Sequence, residues 1–279
     1  MLTNLNGVLL PAKERKYGVG LFNTLTLEMA RAVIGTAEKL RSPVIVGTAE
    51  VLLPYAPLEN VADIVVPMAK RASVPVVVHY DHGLTFEKCV EAIHLGFSSI
   101  MYDCSTDTYE ENIRKVEEIT RMAHAFGVTV EAELGHVGNV VASGSDPSAF
   151  FTDPAQARDF SDRTGVDALA IAVGTAHGAY KFPPKLDFDR IETIAHTIST
   201  PLVLHGGSGL SEEDFRHAIR CGISKVNIFT DINMASVRGL QKAMGEGKNA
   251  LTDCIPYEIS AISEAVEEKM HLFGSTGTV

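Results

Sequence analysis

Three apolar runs in this chain each lead to a histidine beside a glycine. Val76-Val77-Val78 leads to His79-Tyr80-Asp81-His82-Gly83. Ala168-Leu169-Ala170-Ile171-Ala172-Val173 leads to Gly174-Thr175-Ala176-His177-Gly178, and Pro201-Leu202-Val203-Leu204 leads to His205-Gly206-Gly207-Ser208-Gly209. Such runs read as buried strands, and parallel α/β folds hold their chemistry at the C-terminal strand ends. Imidazole is a favoured zinc donor, and a catalytic zinc keeps one position open beside three protein ligands. A single histidine at such a place is more often a hydrogen-bonded core residue or a general base. Three on one rim reverse that expectation, so His82, His177 and His205 form the expected metal set. His94, His124, His196, His217 and His271 fall on expected helices. His79 is expected to point into the barrel or toward the helices, and His136 lies in a loop.

Asp81, next to His82, is the expected general acid/base, with a supporting carboxylate or strand cap as its plainer role. Side chains alternate along a strand, so the two neighbours can share a face only if the strand has ended. Gly83 would permit that turn. Glu131 and Glu133 alternate on another strand, and one of them, Glu133 in particular, is expected near the metal as a supporting acceptor or alternate ligand. Gly206, Gly207 and Ser208, with Asn227, Ile228, Phe229 and Thr230 after the last strand, fit a phosphate site made by backbone N–H groups at a helix start.

The elements that must position these groups are read from periodicity. Strands are expected over 17–23, 43–47, 75–79, 98–101, 128–134, 167–173, 201–204 and 224–228. Helices between them recur at 3.6-residue spacing, among them 27–40, 58–73 with Pro67 kinking or splitting it, 85–95, and one capped by Thr108 with Glu111 in a capping box. Asp153-Pro154 starts another as N-cap and first residue, and Ser211 and Asp214 box a further start. The stretch 135–152 is rich in Gly, Ser and Asn and reads as an active-site loop. Residues 1–16 form a lead-in, and a helix over about 257–272 follows the eighth unit. Eight strand–helix steps with no break in composition predict a (β/α)8 TIM barrel with an extra C-terminal helix, one domain over 1–279.

The chain has 279 residues, 46% of them hydrophobic, enough for one such barrel. Its net charge of −11 argues against nucleic acid as a partner. No apolar run reaches 18 residues, and Val8-Leu9-Leu10 is too short for the core of a signal peptide. Cys89, Cys104, Cys221 and Cys254 show no metal-type spacing and read as reduced thiols, so the expected location is cytoplasmic.

Taken in order, His79-Tyr80-Asp81-His82-Gly83, Val130-Glu131-Ala132-Glu133-Leu134-Gly135, Gly174-Thr175-Ala176-His177-Gly178, Leu204-His205-Gly206-Gly207-Ser208-Gly209, Lys225-Val226-Asn227-Ile228 and Phe273-Gly274-Ser275 resemble the class II, metal-dependent ketose-bisphosphate aldolases, the fructose- and tagatose-bisphosphate enzymes among them. The resemblance spans nearly the whole chain. It implies one zinc per chain on His82, His177 and His205, and a proton-moving role for Asp81 at the aldehyde oxygen. It implies dihydroxyacetone phosphate held by Gly178, Gly206, Gly207, Ser208, Asn227 and Thr230, with further polar contacts from Asn23 and Thr48. A monovalent cation such as Na+ or K+ near Ala176, Gly178, Gly206 and Ser208, and a homodimer or homotetramer, are also implied.

The sequence departs from that pattern at three places. The loop Gly135-His136-Val137-Gly138-Asn139-Val140-Val141 has no carboxylate before Asp146, where many relatives carry a glutamate acting on the dihydroxyacetone carbon. His136 and Asp146 are the substitutes it offers. Asp253-Cys254-Ile255-Pro256-Tyr257 lacks the arginine that relatives use for a second phosphate, and Phe229 replaces an acid of the fructose subgroup. The expected substrate is therefore a ketose 1-phosphate, with a ketose 1,6-bisphosphate as the second choice. Two other readings compete: a Schiff-base aldolase using Lys181 or Lys225, and a non-catalytic barrel that binds metal and sugar phosphate as a partner subunit or sensor.

Overall fold

The computed structural model describes residues 1–135, 137, 151–175 and 185–279. Its eight principal strands are β1 Val19–Asn23, β2 Val44–Ala49, β3 Val76–Gly83, β4 Ser99–Tyr102, β5 Thr129–Leu134, β6 Ala168–Ile171, β7 Leu202–Leu204 and β8 Ile223–Ile228. Each is parallel to the next, and β8 pairs with β1, Val19 opposite Lys225 and Phe22 opposite Ile228. The ring is closed, as the strand–helix alternation predicts for a TIM barrel. A two-residue strand, Leu2–Thr3, runs beside the start of β3.

The helices are α1 Leu5–Arg15, α2 Leu27–Leu40, α3 Leu58–Arg71, α4 Phe86–His94, α5 Tyr109–Ala125, α6 Pro154–Thr164, α7 Phe188–Thr197, α8 Glu212–Cys221, α9 Thr230–Gly245 and α10 Leu251–Phe273. Their local chemistry follows known capping rules at several starts. Asp153 accepts from the backbone of Ala155 and Gln156 with Pro154 just inside the helix, and Ser211 and Asp214 form the expected reciprocal box.

Alternation along the strands splits the core in two. Val44, Val46, Val76, Val78 and Tyr80 face outward onto the helix layer. Leu21, Ile45, Val77, Ala168, Ala170 and Val203 face inward, where Leu5, Val8, Leu9 and Ala12 of α1 close the bottom of the barrel. One layer higher the inward positions become polar: His79 and Asp81 on β3, Glu131 and Glu133 on β5, Lys225 and Asn227 on β8, and His205 just beyond β7, all buried. The apolar floor thus carries a charged upper layer facing the C-terminal strand ends.

Several sequence expectations need correction. Pro67 does not split α3, which is continuous across it. The Thr108 side chain makes no capping hydrogen bond, and Glu111 pairs instead with Arg114 one turn on, at 2.6 Å. α10 starts at Leu251 and continues through Pro256 to Phe273. A short 3-10 helix, Glu50–Leu52, follows β2 without a signal read in advance. The four cysteines are free thiols. Among the described residues no helix is long and apolar enough to cross a membrane. Most of the loop over 135–152 lies outside the described residues.

Candidate active site

β3 does not end before Asp81. It continues to Gly83, and its register with β4 shifts between Tyr80 and Gly83. The shift is made at His82, whose φ of 47° lies in the left-handed region. A non-glycine residue held there is uncommon and costs of order 1–3 kcal/mol. The conformation lets Asp81 and His82, neighbours in sequence, serve one site. Gly83 supplies room rather than the turn, since a Cβ there would lie 2.6 Å from Cys89 Sγ and 2.8 Å from Met101 O.

His82 Nε2 lies 2.8 Å from His205 Nδ1. The other nitrogen of each ring is held by a carboxylate. His82 Nδ1 is 2.8 Å from Asp103 Oδ2, and His205 Nε2 is 2.8 Å from Glu131 Oε1. Burial disfavours charge on both rings. In His82 the carboxylate of Asp81 and the bond to Asp103 outweigh it and hold the pKa up at about 9. In His205 burial and the neighbouring His82 push it down. The consistent assignment has His82 with both protons, donating through Nε2 to the bare Nδ1 of His205.

A metal ion fits this arrangement in place of that shared proton. Carboxylates on the outer nitrogens fix the rings with their inner nitrogens converging, as in metal-bound histidines. Asp81, His82 and His205 each offer a donor atom, all within 4.8 Å of one another. Glu133 Oε2 is 3.7 Å from His205 Nδ1. It is buried and has no hydrogen-bond partner of normal geometry among the described residues. Burial, then the charge of Asp103, raise the Glu133 carboxyl to about 8. His177 and Gly178 lie outside the described residues, as do His136, Asp146 and Lys181.

Asp81 is anchored from two sides. Asn23 Nδ2 donates to Oδ2 at 2.9 Å, and Asn227 Nδ2 donates to Oδ1 at 3.1 Å. Burial opposes its ionisation, but the positive charges of His82 and Lys225 hold it well below the usual carboxylate range. It is therefore a carboxylate fixed in orientation, able to take a proton from a hydroxyl brought beside it. Lys225 is fully buried, 2.7 Å from Glu131 Oε2 and 2.8 Å from Asn227 Oδ1. The ion pair and the hydrogen bond occupy its amine, which disfavours it as a Schiff-base nucleophile.

A cavity of about 500 Å³ opens above this layer at the C-terminal strand ends. Asn23, Asp81, His82, Gly206, Gly207, Ser208, Asn227 and Thr230 all line it. α9 begins there without a side-chain cap, so its first N–H groups are available to an anion. A Cβ on Gly207 would meet Val226, Phe215 and the Asn227 carbonyl at 3.0–3.2 Å. Thr48 is different: it is buried on the helix-facing side of β2 with Val44 and Val46, and does not line the cavity. Ala49, Val51, Leu52, Leu84, Val137 and Phe229 make part of its wall apolar. A second cavity of about 550 Å³ lies between α9 and α10, lined by Arg238, Lys242, Tyr257 and Glu268 among others. The rim cavity, where the two imidazoles converge beside the Asp81 carboxylate, is the candidate site.

Sequence reading missed Asp103. The signal was its place just past β4, after Met101-Tyr102, which is itself a rim position. It also assigned Asn23 and Asn227 to substrate alone, whereas both hold Asp81.

The sequence profile of the family "Fructose-bisphosphate aldolase class-II" matches residues 3–278. The chain is 37% identical to a fructose-bisphosphate aldolase of Thermus caldophilus, over 97% of each chain. It is 38% identical to one of Geobacillus stearothermophilus, over 99% of this chain and 98% of that one. The crystal structure of the YdjI aldolase from Escherichia coli K12 superposes with a TM-score of 0.91 at 35% identity, covering 100% of this chain and 99% of the other.

Proposed function

This chain belongs to the class-II fructose-bisphosphate aldolase family, and on that premise we propose that it catalyses zinc-dependent, reversible cleavage of a ketose 1-phosphate. The products are dihydroxyacetone phosphate and an aldehyde. The observation that carries the reading is the pair of imidazoles whose inner nitrogens converge beside the fixed Asp81 carboxylate in the rim cavity.

His82, His205 and, by family resemblance, His177 would hold the zinc, with Glu133 as an alternate ligand. Zinc held there supplies Lewis-acid polarisation of the ketone and electrostatic support for the enediolate. Asp81 takes the proton of the hydroxyl on the carbon that becomes the aldehyde, and returns it in condensation. Asn23 and Asn227 keep its oxygens aimed at that hydroxyl. Gly206, Gly207, Ser208 and the start of α9 receive the phosphate through backbone N–H groups. Residues 1–279 act as one domain. A homodimer or homotetramer and a monovalent cation beside the phosphate loop follow from the family. The non-catalytic reading is not favoured, because Asp81 and its two amide donors are intact.

The aldehyde half faces the apolar wall. Among the described residues no Lys or Arg lines the cavity. A charge-assisted hydrogen bond to phosphate contributes roughly 1.5–3 kcal/mol, about 10–150-fold in rate constant, and the described lining supplies no such cation. The test is condensation of dihydroxyacetone phosphate with a panel of aldehydes, with and without zinc. The expected result is zinc-dependent turnover and similar kcat/KM for neutral aldehydes and glyceraldehyde 3-phosphate. A preference above about 10³-fold for the phosphorylated aldehyde would return the bisphosphate reading. Turnover that survives chelation would remove zinc.

A further inference from the structure

Lys225 is a fully buried cation inside the barrel and touches neither cavity nor solvent. Its Nζ has two partners, one leading to His205 and the other to Asp81, and the Asn227 amide of the second arm also lies 3.4 Å from His205 Nε2. One arm runs from Nζ to Glu131 Oε2 at 2.7 Å, and from Glu131 Oε1 to His205 Nε2 at 2.8 Å. The other runs from Nζ to Asn227 Oδ1 at 2.8 Å, and from Asn227 Nδ2 to Asp81 at 3.1 and 3.3 Å.

We propose that Lys225 is a positioning residue that sets the metal ligand His205 and the proton carrier Asp81 together, through Glu131 and Asn227. The proposal rests on the aldolase reading for Asp81, but not for the ligand arm. The physical reason lies in the two intermediates. An amide can present either its oxygen or its nitrogen, and Lys225, which can only donate, claims the Asn227 oxygen. The Asn227 nitrogen is thereby turned toward Asp81. A carboxylate buried at this depth needs a counter-charge, and Lys225 provides it on the oxygen of Glu131 that His205 does not use. His79, the other basic group beside Glu131, is too far at 3.8 Å for a direct bond. Glu131 can thus remain anionic and hold the His205 ring by Nε2, leaving Nδ1 for a metal.

The geometry also shows how to separate the arms. Lys225→Met breaks both. Lys225→Met combined with Glu131→Gln removes charge and counter-charge together. The Gln oxygen can still accept from His205 Nε2, so the ligand arm is restored while the Asn227 arm stays broken. Zinc affinity is read by competition with a chromogenic chelator, which needs no turnover. Kinetics are read at saturating zinc with dihydroxyacetone phosphate and an accepted aldehyde, and folding by circular dichroism.

For Lys225→Met the expected result is a 10–100-fold loss of zinc affinity, the usual effect of disturbing the partner of a metal-bound histidine, with kcat also reduced. For the double variant, zinc affinity returns to within about threefold of the parent while kcat stays at least about tenfold low with KM little changed, the signature of a misaligned proton carrier. If Lys225→Met does not fold, the charge-balanced double variant decides by its kcat alone. A folded Lys225→Met protein with parental zinc affinity and kcat overturns the proposal, as does a double variant with parental kcat. A parent protein without aldol turnover would sink the functional reading instead, and the zinc titration would still judge the ligand arm.

Discussion

His82 and His205 each have one nitrogen committed to a carboxylate, so the geometry of the proposed metal site depends on how those carboxylates hold the two rings. Asp103 is the clearest case. Its Oδ2 holds His82 Nδ1 at 2.8 Å, and its Oδ1 accepts from the backbone of Ser105 at 3.1 Å. Both bonds, working against burial, keep the carboxyl well below its ordinary range. Asp103→Ala should leave the His82 ring free to rotate and lower zinc affinity by about 10–100-fold, measured by chelator competition on the folded protein. Unchanged affinity would mean that His82 is oriented by something else or is not a ligand. At this scale the sequence disclosed the residues with a strong local sign: histidines beside glycine at the ends of apolar runs. It did not disclose the pairings. Which carboxylate meets which ring depends on β3 lying beside β4, and on β5 and β7 flanking β6 in the closed ring, and no local spacing encodes that. The positive φ of His82 was equally hidden, because it follows from a register shift between two strands.

Among the elements, β2 and β3 approach closely enough that one residue decides their spacing. A Cβ on Gly47 would sit 1.7 Å from the carbonyl oxygen of His79 and 2.7 Å from its carbon, in the backbone of the neighbouring strand. Backbone cannot move aside as a flexible side chain can. Gly47→Ala should therefore cost at least the 1–3 kcal/mol typical of overpacking, seen as a lower midpoint in urea unfolding. It should also disturb the site, since His79 is two residues from Asp81. A variant as stable as the parent would show that the two strands can separate without loss. The strands and helices themselves were legible because a barrel repeats one pattern: an apolar run, a turn, then a 3.6-residue stripe. Errors fell where that pattern stops. The 3-10 turn Glu50–Leu52 has no periodicity to read, though Glu50 ties it to Tyr80 Oη at 2.9 Å and to the Leu84 backbone at 2.7 Å. Thr108 has the right type for a cap, but its neighbour Glu111 is drawn to Arg114, and helix propensity plus packing of Ile113 and Val116 suffice without the box.

For the molecule as a whole, the question is whether α10 is an appendage or part of the barrel. It packs across α9 and α2, outside the seam where β8 meets β1. Ile262, Val266, Met270 and Phe273 are buried there. Its end is also tied to the first unit by backbone: Gly18 N donates to Phe273 O at 2.9 Å, and Gly277 N donates to Leu40 O at 2.9 Å. Ser42 Oγ and Ser275 Oγ are 2.7 Å apart, and the Phe273 ring lies 5.4 Å from that of Phe215 on α8. A helix joined in this way to the first and last units should open only when the ring opens. Met270→Ala removes a side chain that is 1% exposed, and such truncations cost about 2–5 kcal/mol. If 1–279 is one cooperative domain, that loss should lower the protection of slowly exchanging amides in β1 and β8 by as much as it lowers those of α10. Native-state hydrogen exchange on the parent and the variant measures both. Loss confined to the α10 amides, with the strands as protected as before, would make the last helix a separately opening unit and end the single-domain reading.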